Sequence, residues 1–126
     1  KIKKDSVVML RDIRRIIVDK CAYYVKLIET MLNPSQAPPM FMMLLKEVTI
    51  EDKKLIDSVF SSFMEVELMS YKLDVNPNDK EESEFILKAF SVWNEKRPEL
   101  LSILNILERN WKKTSNSYKP NRDYFN

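Results

Sequence analysis

Residues 5–32 read DSVVMLRDIRRIIVDKCAYYVKLIETML, and their spacing decides the fold. Leu10, Ile13, Ile17, Tyr24, Leu27 and Met31 recur at intervals of three, four and seven residues. That is the period of one face of an α-helix. Val8, Ile16 and Ile28 widen the apolar stripe beyond a narrow seam, while Asp5, Asp12 and Asp19 form a polar row that Lys26 continues. At ~1.5 Å per residue such a helix is about 40 Å long. A helix of that length presents more apolar surface than one side of a small bundle covers.

Asn33-Pro34 ends this helix, because a residue before proline avoids the helical region. Three prolines stiffen the connection from Asn33 to Pro39. Met40 to Leu45 (MFMMLL) then reads as a short buried helix. Thr49 and Asp52 resemble a capping box, with Asp in place of the usual Glu. From there a helix extends to about Leu73 on Leu55, Ile56, Val59, Phe60, Phe63 and Val66. A turn follows over Asp74 to Asp79, and Asn78 or Asp79 caps a fourth helix whose apolar face is Phe85, Ile86, Ala89, Phe90 and Trp93. Pro98 suits the first turn of a fifth helix, carrying Leu100, Leu101, Leu104, Leu107 and Trp111, and would break a continuous one. The expected fold is therefore all-α: an up-and-down bundle of four main helices plus one short Met-rich helix. It occupies residues 1–113, with a polar C-terminal tail over 114–126 that holds Tyr118, Tyr124 and Phe125.

Composition narrows the chemistry. The chain has no glycine, where average usage of about 7% would give roughly nine. That excludes a glycine-rich phosphate loop and tight hairpin turns. Asn33, Asn76, Asn94, Asn110 and Asn116 are expected to end helices in glycine's stead. Histidine is absent too, which removes the commonest general base and metal ligand. The single cysteine, Cys21, can form no internal disulfide and is expected to be a buried, inert thiol.

No serine has a histidine to activate it, and Glu65 and Glu67, two apart on a helix, point in different directions. The alternating oxygens of Asp74 to Asp79 are interrupted by Pro77 and lack the glycine of a calcium loop. Glu81, Glu82 and Glu84 complement a helix start. The expectation is a non-enzyme without cofactor or metal. No apolar run approaches the ~18 residues of a membrane span, and no leader pattern opens the chain. A cytoplasmic setting is expected, and with Lys1 rather than Met at its start the chain is expected to be part of a longer one.

Charge is distributed unevenly. Residues 1–45 carry +4, residues 46–99 carry −5 and residues 100–126 carry +3. The function expected first is a helical protein-interaction or assembly module. It would bind a protein partner, or a second copy as a homodimer through the first helix, using Arg11, Arg14, Arg15, Met40, Phe41 and Met43. Clustered methionines make adaptable surfaces. The alternative is weak nucleic-acid binding, for which Arg14, Arg15, Arg109, Lys112 and Lys113 would have to converge, supported by Lys119 and Arg122. A third reading is a regulatory domain with a small-ligand pocket lined by Phe and Met between helices.

Overall fold

A computed structural model describes residues 4–117. It contains α1 (Lys4–Leu32), a short 3-10 turn (Pro34–Gln36), α2 (Pro39–Leu44), α3 (Ile50–Val75) and α4 (Asp79–Ser117). The protein is an all-α helical bundle, and its described residues form three long helices and one short one rather than four long and one short. Helix α4 continues to Ser117, into the segment read as a polar tail. The rest of that segment, with Tyr118, Lys119, Arg122, Tyr124 and Phe125, lies outside the described residues.

Local signals set most helix ends. The Thr49 side chain accepts a hydrogen bond from the Asp52 amide while Asp52 accepts from the Thr49 amide, which starts α3 as a reciprocal cap. The Asn78 Oδ1 accepts from the Glu81 amide at 3.0 Å and starts α4. The asparagines do not end helices in a left-handed conformation: Asn33 and Asn76 have φ of −136° and −135°. Asn94, Asn110 and Asn116 lie inside α4.

Pro98 also lies inside α4, so the two expected helices are one of 39 residues. A proline in a helix interior costs roughly 3 kcal/mol through its missing N–H and steric crowding. The buried residues explain why the helix persists. Phe85, Ala89 and Val92 before the proline and Leu100, Ile103 and Ile106 after it stay in one helical phase. Breaking the helix would expose the second set, and each side chain of that kind is worth ~1.5–3 kcal/mol buried.

Helix direction follows from a few pairs. Arg14 reaches Ser70, Asp74 and Glu82, whereas Tyr24 meets Phe63 and Trp93. Thus α3 runs antiparallel to both α1 and α4, and α1 and α4 are parallel. The core holds Val25, Ile28, Ile56, Val59, Phe63, Phe85 and Ile103 among others. Several residues expected in it are not: Val8, Ile16, Phe90, Leu101 and Trp111 are exposed. The cause is that among the described residues each long helix packs against only two other long helices, so its buried arc is narrower than its apolar arc.

The Met-rich segment is helical but contains no buried residue. Phe41, Leu45 and Val48 pack against the core edge, whereas Met40 and Met42 face outward. The buried Asn110 of α4 donates from Nδ2 to the Leu44 carbonyl at 2.6 Å, tying down the end of α2.

Candidate functional site

Between the parallel helices α1 and α4 lies a groove of about 300 Å³, floored by α3. Ile16, Ile17, Lys20, Cys21 and Tyr24 form one wall, Ala89, Phe90, Val92 and Trp93 the other, and Phe63 and Val66 the floor. Helical spacing places these residues: 16, 20 and 24 recur at four on α1, and 89, 90 and 93 share a side of α4. Rings fix the shape. Tyr24 lies 6.0 Å from Trp93 and 6.4 Å from Phe63, and Phe63 stacks with Trp93 at 6.5 Å. Tyr23 meets Tyr24 edge-on at 5.3 Å and extends the apolar surface outward.

The groove's rim is unusually apolar. Ile16 is 61% exposed, Tyr23 70% and Phe90 55%, with Leu87 and Leu101 exposed on the same side of α4. Among the described residues, Lys20 is the only charged one lining the groove.

Cys21 lies on the α1 wall, donating its Sγ–H to the Phe63 carbonyl at 3.3 Å. Burial, then the negative charge of Glu67, pushes the thiol up to about 12. A thiol held that high carries little thiolate near neutrality, and the thiolate is the nucleophilic form. Burial and the nearby Glu29 charge also raise the pKa of the buried Glu67.

Arg14, expected at a binding surface, is instead 4% exposed. Its Nε donates to Glu82 Oε2 at 2.7 Å, and its Nη1 donates to Ser70 Oγ at 2.8 Å, to the Ser70 carbonyl at 3.2 Å and to Asp74 at 2.8 Å. Burial opposes the charge, but the hydrogen bonds and charges of Glu82 and Asp74 outweigh it and raise the Arg14 pKa. Glu82, read from sequence as a helix-start acid, is 1% exposed and answers this arginine. The signal for burial was present: Arg14 stands seven residues before Cys21 and fourteen before Ile28, in phase with the core.

The other expected site residues scatter. Arg15 is exposed and Arg11 half-buried near one end of the bundle, with Met40, Phe41 and Met43 on α2 at the other. Arg109, Lys112 and Lys113 are exposed near the end of α4. There Lys112 pairs with Glu108 at 3.4 Å and Lys113 with Glu47 at 2.9 Å. Arg14 abuts residue 82 of α4, so residue 109 lies roughly 40 Å farther along the helix. The two basic clusters do not converge into one surface.

By periodicity Phe90 and Trp93 belong to the core, and nothing in the spacing marks Lys20. The signal for the groove was the width of the α1 stripe, which one neighbour could not cover. Among the described residues, no helix is long and apolar enough to cross a membrane. The chain matches no protein-family model, no curated protein and no solved structure.

Proposed function

We propose that this domain is a protein-interaction module that seats an amphipathic helix in the α1/α4 groove. The observation that carries the reading is the concave apolar groove with Ile16, Tyr23 and Phe90 exposed along its rim. Apolar surface left open in this way marks a binding site. The geometry matches helix-in-groove recognition, where anchors at i, i+3, i+4 and i+7 enter a hydrophobic channel. A fourth helix laid there would complete a four-helix bundle. Aromatic anchors such as Tyr24 and Trp93 suit the centre of such an interface. Lys20 selects for a partner helix with an acidic residue at its edge.

A small apolar ligand is the second reading, favoured by the aromatic lining. The volume of about 300 Å³ stands at the bottom of the small-molecule range. A pocket enclosing a ligand would also need a closed rim, and here the rim is open. A helix ridge fills such a groove better than a small molecule does. The separated basic clusters support at most weak contact with nucleic acid.

The test is a displayed library of 20-residue amphipathic helices selected against the folded domain. Selected helices are expected to perturb NMR signals of Ile16, Lys20, Tyr24, Phe90 and Trp93, and to lose binding to a Phe90→Asp variant. Selected helices that ignore Phe90→Asp, or a failure to select any, would refute the proposal.

A further inference from the structure

The groove has a counterpart on the opposite side of the same chain. The outward face of α3 carries Leu68, Tyr71 and Val75 at spacings of three and four, and all three are exposed, Val75 by 86%. Met64, half-buried, continues the row one turn earlier. From Met64 to Val75 the ridge spans about 16 Å, and the α1 wall from Ile16 to Tyr24 spans about 12 Å. One surface is an exposed apolar helical ridge that borders an open depression lined also by Lys72 and Glu81, and the other a concave apolar channel of similar length. Ridge-into-groove packing is how helices associate in general.

One charge pair is available across such a contact. Lys72 also stands exposed on this face, one turn after Leu68. Glu65 lies one turn before Leu68 beside the ridge, and Lys20 is the charged residue of the groove. Both are exposed, and neither makes an ion pair among the described residues.

We infer that the helix seated in the groove is the Leu68–Tyr71–Val75 ridge of a second copy of this chain, giving head-to-tail self-association. This rests on the groove being a helix-docking site, as proposed above, and names its partner. The geometry sets the symmetry. Phe63 and Val66, the groove floor, lie on the inward face of α3, whereas Leu68, Tyr71 and Val75 lie on its outward face. Groove and ridge therefore point away from each other, and each added copy leaves one of each unsatisfied. Contacts of this heterologous kind build rings or open chains, not a two-fold dimer. A ridge of about three turns makes a small interface, so association belongs in the micromolar-to-millimolar range.

The experiment is sedimentation equilibrium of the whole chain from ~10 μM to ~1 mM. The wild type should rise from 15.0 kDa past the dimer mass as concentration increases. Phe90→Asp removes the groove and Tyr71→Asp the ridge; both positions are exposed, and retained circular dichroism checks the fold. Each variant alone should stay monomeric. An equimolar mixture keeps one good groove and one good ridge, and should stop at the 1:1 dimer. Lys20→Glu and Glu65→Lys should each weaken association several-fold, and their combination should restore it. A wild type that remains at 15.0 kDa throughout overturns the inference, as does undiminished association of Tyr71→Asp. A monomer that still binds library helices at Phe90 sinks only the choice of partner. A chain with no library binder at the groove sinks the underlying reading as well.

Discussion

Removing Arg14 tests whether its buried network holds the bundle together. Arg14→Ala deletes four hydrogen bonds and the guanidinium that faces Glu82 at 2.7 Å. The cost is set by what is left behind. Asp74 has a side chain 58% exposed, so water replaces its partner cheaply. Glu82 is 1% exposed, its Oε1 already lacks a partner among the described residues, and without Arg14 its charge is buried and unanswered. Breaking a buried pair in this way costs about 3–5 kcal/mol. A domain of this size has ~5–15 kcal/mol in total. With a urea slope of roughly 1.5 kcal/mol/M, the midpoint should fall by about 2–3 M. The double variant Arg14→Met/Glu82→Leu removes both charges and restores apolar packing, so most of that loss should return. Urea unfolding at pH 7, followed by circular dichroism on Arg14→Met, Glu82→Leu and the double, forms a complete cycle, with Arg14→Ala measured beside it. A loss below ~1 kcal/mol for Arg14→Ala would refute the argument. So would a double variant whose loss is the sum of the two singles.

Three further outcomes follow from burial and helix continuity. Phe63→Ala should cost roughly 3–5 kcal/mol, since Phe63 is buried among Tyr24 and Trp93, while Phe90→Ala should cost little; equal urea midpoints would show the α4 face to be misassigned. Pro98→Ala should raise stability by up to ~3 kcal/mol, because the helix is continuous there, and an unchanged melting temperature would mean that it is not. Glu67 has a folded-state pKa above its unfolded one, so its contribution is fully favourable below the unfolded value and is lost as pH rises through the folded value. Glu67→Gln should therefore stabilise at pH 7 and lose that advantage toward pH 4; a pH-independent difference would contradict the sign.

Much of this fold is legible in the sequence because its signals are local. The stripe of α1, the Thr49/Asp52 cap, the Asn78 start of α4 and the burial of Phe63 and Val66 all follow from spacing and side-chain chemistry. The burial of Cys21 follows the same way, from its apolar helical setting.

Three features are decided only in three dimensions. Pro98 reads as a break because its cost is local, whereas the compensation comes from Leu100 and Ile103 packing against α1 and α3. Arg14 reads as a surface base because its partners, Asp74 and Glu82, lie 60 and 68 residues away. The groove is invisible for a related reason. Periodicity reports how wide an apolar arc is, and only the number of neighbouring helices determines how much of that arc is covered. The apolar character of Ile16 and Phe90 was therefore a property of the sequence, and their exposure a property of a bundle with three long helices instead of four.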